Sequence, residues 1–172
     1  MARLNLDQPV NMSQDSLVKF NKNIANPYKA GVGFNYVDDF LGEKRTLYSA
    51  LKEFYTNYKL DDKVSAEDFK YILESKSQKD LDWFFEDYIN TNSRIDFTIK
   101  SLKKTGDSLQ VTIKNKENNR MPVSLYGLKD DEVVAKYWVE NIDSTQQITI
   151  PKENIERLAL NYEGKIPEYN QR

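Results

Sequence analysis

Residues 81–99 read LDWFFEDYINTNSRIDFTI, and the fold turns on this stretch. Its first half sets Leu81, Phe84, Phe85, Tyr88 and Ile89 three or four positions apart. That spacing gathers side chains on one side of a helix. Its second half sets Ile95, Phe97 and Ile99 two apart, which is the period of a half-buried strand. The change of period places a boundary at Asn92-Ser93, with helices before it and strands after it. The same spacing predicts that Trp83-Phe84-Phe85 packs into a core rather than forming an exposed patch.

Upstream, the helical texture continues. A short helix is expected after Ser13, with Leu17 and Phe20 as its apolar contacts, and Asn26-Pro27 reads as a turn. From Tyr28 onward, Val32, Tyr36, Val37, Phe40 and Leu41 form a stripe closed by Gly42 as a C-cap. Gly31 and Gly33 weaken that helix in isolation and imply close approach of another group. A second helix is predicted over residues 44–58, with Leu47, Leu51, Phe54, Tyr55 and Tyr58 on one face. Ser65-Ala66-Glu67-Asp68 reads as a capping box opening a third helix with Phe69, Ile72 and Leu73 inward. Ser77 is placed as the cap of a fourth.

Downstream, Leu109, Val111 and Ile113 alternate after the turn signal Gly106-Asp107. Val123 and Leu125 follow Pro122, which suits an edge or a strand start. Val133, Ala135, Tyr137 and Val139 alternate, with Val134 and Trp138 opposite; Ile148 and Ile150, then Leu158, Leu160 and Tyr162, complete six or seven short strands. The predicted class is α+β: a small helical bundle over residues 1–93, then an Ig-like antiparallel β-sandwich over residues 94–172.

Composition excludes much chemistry. The 172 residues contain 0 Cys and 0 His, so disulfides, thiolate nucleophiles and imidazole bases or ligands are impossible within the chain. With 25 basic and 27 acidic residues the net charge is -2, which argues against a nucleic acid partner. No apolar run is long enough to span a membrane, and MARLNLDQPV lacks the pattern of a signal peptide. Aromatic content of 12% can fill a core. The acid pairs Asp38-Asp39, Asp61-Asp62 and Asp130-Asp131 lack calcium-loop spacing and read as solvated charge, while Lys44-Arg45 and Lys103-Lys104 are too short for a phosphate-tracking patch and read as solvated turns or helix ends. Gly31-Val32-Gly33 lacks the third glycine, the lysine and the preceding strand of a phosphate loop.

Several segments, in order, carry a resemblance. They are Pro27-Tyr28-Lys29-Ala30-Gly31, Phe40-Leu41-Gly42, Leu51-Lys52-Glu53-Phe54-Tyr55, Ser65-Ala66-Glu67-Asp68-Phe69, and the run from Asp80 to Ile89. Ile95-Asp96-Phe97, residues 111–115, Met121-Pro122-Val123 and the tail from Asn161-Tyr162 to Gln171-Arg172 follow. Over residues 4–172 the chain resembles the segment downstream of the zinc site in bacterial gluzincin metallopeptidases of the aminopeptidase N type. The resemblance implies a parent that hydrolyses peptides with zinc held by H-E-x-x-H and a downstream glutamate. With 0 His this chain carries none of that apparatus, so no cofactor and no activity are expected of it alone. Its implied partner is the rest of the catalytic domain, with peptide substrate bound only in the parent. A secreted, periplasmic or cell-surface parent would suit the family, although the residues themselves assign no compartment.

The resemblance also implies one site residue. The family's tyrosine in Tyr-x-Lys-Gly donates a hydrogen bond to the oxyanion of the tetrahedral intermediate, and Tyr28 occupies that place. Here the lysine comes one residue after the tyrosine rather than two, at Lys29, and Ala30 takes the second place. Two other readings stand beside this one. A stand-alone interaction module would bind a partner protein or glycan through the sandwich and show aromatics gathered on one sheet face. A glycyl aminopeptidase type would carry a PDZ module after the helices, which the plain strand alternation does not favour.

Overall fold

The computed structural model describes residues 6–42, 45–60, 63–152 and 154–168. These group into two compact units, Pro9–Thr91 and the chain from Asn92 onward, with residues 6–8 clustering with the latter.

The unit Pro9–Thr91 is helical. A π-helical turn, Asn21–Ala25, runs directly into α1, Asn26–Leu41. Then come α2, Thr46–Tyr58, α3, Ala66–Ser77, and a π-helix, Trp83–Ile89. Its core is aromatic. Phe34 meets Phe84 edge-on at 5.4 Å between centroids, Phe54 meets Phe69 at 5.3 Å, and Phe40 meets Trp83 at 5.7 Å. Such edge-to-face pairs set the negative face of one ring against the positive rim of the next. Trp83, Phe84 and Phe85 are all buried, so this run is core.

The stripe of α1 buries Tyr36, Val37, Phe40 and Leu41, and Gly42 ends the helix in the left-handed region with φ 66°. Gly33 meets the close approach expected of it: a Cβ there would lie 2.9 Å from the Phe84 ring and nearer still to Tyr88. Gly31 faces open space instead. The capping box of α3 is complete. The Ser65 N–H and hydroxyl both donate to Asp68 Oδ2, at 2.8 and 2.7 Å, and the Asp68 N–H donates back to Ser65 Oγ.

Four helical expectations are corrected. Asn26-Pro27 is no turn; the helix runs through it, because proline's fixed φ and missing N–H suit the first turn of α1. After Ser13 the chain makes a tight turn, with Ser16 N–H on Ser13 O, and helix begins only at Lys19. On α2 the buried positions are Leu47 and Ala50, while Leu51 and Tyr55 are 43% and 69% exposed. Ser77 ends α3 rather than starting the next helix, and Gln78 takes the left-handed C-cap. The second helix begins at Thr46; Glu43 and Lys44 lie outside the described residues.

The second unit holds two three-stranded antiparallel sheets among the described residues. They comprise β1 (Phe97–Thr105), β2 (Ser108–Asn115), β3 (Val123–Lys129), β4 (Glu132–Val139), β5 (Thr145–Pro151) and β6 (Arg157–Leu160). One sheet runs β1-β2-β5 and the other β4-β3-β6. Thr105 pairs with Ser108 across Gly106-Asp107, so that turn signal makes a two-residue hairpin. Asp130 and Asp131 form the second tight hairpin, both with positive φ, as its geometry requires. Leu109, Val111 and Ile113 are buried together with Val123, Leu125, Leu128 and Ile150. Pro122 does precede a strand start, but β3 is a central strand rather than an edge. On β4 only Val139 is fully buried; Val133 and Val134 are both exposed, so neither face of its first half is covered.

Candidate functional site

Tyr28 stands in the first turn of α1, 74% exposed. Its neighbours explain why. The Asn26 amide donates to the carbonyl of Pro9 at 2.9 Å, and Lys29 Nζ donates to the carbonyl of Thr91 at 3.0 Å. The Tyr88 hydroxyl donates to the Lys29 carbonyl at 2.9 Å, and the Lys29 ammonium lies 5.6 Å from the centre of the Tyr88 ring. Both flanking side chains are thus tied to the body of the unit. Successive helix residues point about 100° apart, so with 26 and 29 held inward on adjoining sides, Tyr28 points away from both and faces out. The turn is anchored and the phenol is presented to solvent. Because helix continues into α1 from the preceding π turn, Tyr28 does not sit at a free helix end.

Tyr28 is not alone. Phe20, Ile24 and Tyr28 follow one another at intervals of four and are all exposed; Tyr48, Leu51 and Tyr55 make a second outward stripe on α2. A helix is expected to turn such residues inward, so these outward stripes depart from the pattern. Among the described residues of the sheet unit the exposed large apolar residues are fewer: Leu6, Leu102, Val133, Val134 and Tyr162. Tyr126 is buried there, and the Lys136 ammonium lies 5.0 Å from the centre of the Trp138 ring. A depression of about 420 Å³ lies between Lys129, Val134, Ala135, Tyr137, Pro151 and Asn154.

The acid pairs divide. Asp38 and Asp39 lie on α1 facing water or half-buried, and Asp131 of the second hairpin pairs with Arg157 at 2.7 Å. Asp61-Asp62 lies outside the described residues. Lys103-Lys104 sits in the exposed part of β1, not in a turn. One acidic group that spacing did not single out is Glu74, Asp80 and Asp82, whose oxygens approach within 4.8 Å. Each has structural work: Glu74 accepts the Leu81 N–H, Asp80 accepts the Asp82 N–H, and Asp82 pairs with Lys70. That bond with Asp82 holds the Lys70 ammonium above its ordinary range. Together these contacts close the link between α3 and the π-helix.

No protein-family model matches the chain, and no curated protein matches it. Among solved structures, the chain is similar to Legionella pneumophila aminopeptidase A, determined in complex with aspartic acid. The TM-score is 0.66 at 16% identity, and the likeness covers 88% of this chain. It covers 18% of that chain, so this protein spans less than a fifth of its neighbour's length. At this identity the likeness is one of fold.

Proposed function

We propose that this chain is the segment downstream of the zinc site in a bacterial gluzincin metallopeptidase of the aminopeptidase N type. In this reading the helices complete a catalytic domain, and the two sheets pack face to face as an Ig-like sandwich. The observation that carries the reading is the backbone likeness to an aminopeptidase over 88% of this chain and only 18% of the other. The exposed stripe Phe20, Ile24 and Tyr28 supports it, since the stripe is the face that the zinc-bearing part of the parent would cover.

Tyr28 is then the residue this segment contributes to catalysis. Its phenol donates a hydrogen bond to the oxygen that becomes negative as the peptide carbonyl turns tetrahedral, a role worth orders of magnitude in rate. The anchors at Asn26 and Lys29 fix where that donor stands. The metal belongs to the rest of the parent, because a chain with 0 His and 0 Cys offers only carboxylates, poor partners for zinc alone. When bound there, zinc polarises the carbonyl and activates water. The alternative, an interaction module working through its sheets, is less favoured, since the exposed aromatics are mostly on the helices.

The reading frame upstream of Met1 tests the proposal. An H-E-x-x-H within roughly 100 residues, at the spacing the motif demands, supports it. Its absence, or stoichiometric zinc retained by this chain alone after dialysis, overturns it.

A further inference from the structure

Residues 161–168 form a strap in the sheet unit. Asn161, buried and with φ 45°, organises it. Its Oδ1 accepts the Ile166 N–H at 3.3 Å, and its amide donates to the Ile166 carbonyl at 2.9 Å and to Glu168 Oε2 at 3.4 Å. Ile166 is buried at 1% exposure, and the strap carries Glu168 in with it, to 7%.

The place Glu168 enters is already charged. Asp96, just before β1, is 3% exposed. Lys116, just after β2, gives its N–H to the Asp96 carbonyl at 2.9 Å and holds its ammonium 3.4 Å from Asp96 Oδ1. The charges of Asp96 and Lys116 both act on Glu168, with opposite sign. Glu168 Oε1 has no hydrogen-bond partner among the described residues. An unpaired carboxylate oxygen beside a second carboxylate, away from water, favours the protonated form.

We propose that the strap Asn161–Glu168 is a proton-controlled latch: closed while Glu168 is neutral, released when Glu168 gives its proton to solvent and faces Asp96 as a second anion. The groups that act on Glu168 pull both ways, and burial prevails. Burial and the Asp96 charge push it up, to about 7, while the Asn161 amide, the Phe97 N–H and the Lys116 charge oppose them. A raised carboxyl value means that the closed form binds the proton more tightly than the open one. Closure is therefore fully favoured below the ordinary glutamate range, weakens as pH rises through about 7, and is constant above that.

Amide hydrogen exchange on the whole chain tests this. The reporters are the N–H groups of Ile166 and Glu168, which donate to Asn161 Oδ1 and the Ile166 carbonyl. After correction for intrinsic exchange, their protection should fall by about tenfold or more between about pH 5.5 and about pH 8.5, while that of β2 holds steady. In Glu168→Gln the strap's protection should not vary with pH. Should that variant fail to fold, the side-chain carboxyl carbon of wild-type Glu168 is followed by NMR. A midpoint near 7 that falls in Asp96→Asn supports the latch. A midpoint in the ordinary glutamate range, or strap protection that is flat in wild type, overturns it.

Discussion

The hydroxyl of Tyr88 donates to the backbone carbonyl of Lys29 at 2.9 Å, joining the π-helix to the first turn of α1 across 59 positions of sequence. Carbonyls in a first turn normally accept from within their own helix, so this bond is an additional tie on the residue next to Tyr28. Tyr88→Phe keeps the ring and removes the tie. It should cost about 0.5–1.5 kcal/mol in denaturant unfolding, with faster amide exchange concentrated in residues 26–30. A loss of protection spread evenly over the unit would show that the tie does not act on that turn.

Gly33 permits the same contact from the other side. Adding a methyl there drives a Cβ into the Phe84 and Tyr88 rings. Gly33→Ala should therefore destabilise by about 1–3 kcal/mol despite alanine's better helix propensity. Gly31→Ala, where nothing lies within 4 Å, should be neutral or slightly stabilising. Thermal melts of the two variants side by side decide this.

On α2 the prediction is a contrast between faces. Leu47→Ala should cost about 2–4 kcal/mol, since Leu47 is buried. Tyr55→Ser and Leu51→Gln, both on the outward side, should change stability by less than about 0.5 kcal/mol each in the isolated chain. Large losses from the outward pair would mean that this stripe is already covered in solution.

The capping box carries a pH signature. Bonds from the Ser65 hydroxyl and N–H hold the Asp68 carboxyl below its ordinary range. A lowered carboxyl value contributes stability above the unfolded value, and that contribution is lost as pH falls through the folded one. Ser65→Ala should thus lower the melting temperature at pH near 7 by a few degrees, and the gap from wild type should narrow in strong acid. Circular dichroism melts across that range would show an unchanging gap if the box contributed nothing.

Tyr28→Phe removes a water-facing hydroxyl and should leave the stability of this chain within about 0.5 kcal/mol of wild type. In a parent with an intact zinc site the same change should lower kcat by roughly one to three orders of magnitude, with folding intact. Unchanged turnover there would remove Tyr28 from the site.

Much of the fold was legible because local patterns and tertiary packing agree. Leu109, Val111 and Ile113 alternate and are all buried; Ser65 and Asp68 look like a cap and form one. The misreadings share a cause. Leu51 and Tyr55 were expected inward because apolar residues on helices normally are, yet the small Ala50 takes that side. Asn26-Pro27 looks like a turn locally, and only the anchors to Pro9 and Thr91, distant in sequence, show what the segment does. The exposure of Tyr28 depends on those same contacts, and no periodicity contains them. The Asp96–Lys116–Glu168 cluster joins three separated stretches and leaves no motif at all.

Two helical segments here, 21–25 and 83–89, are wound as π turns. A π turn closes from i to i+5 where an α turn closes from i to i+4, so each stores about one extra residue inside a helix, with no loop to betray it. A comparison made letter by letter with helices kept ungapped slips by one place at each, first just before α1 and again within the aromatic run. Relatives with ordinary α turns at those points would be one residue shorter there, and the missing letter should be sought inside the helices.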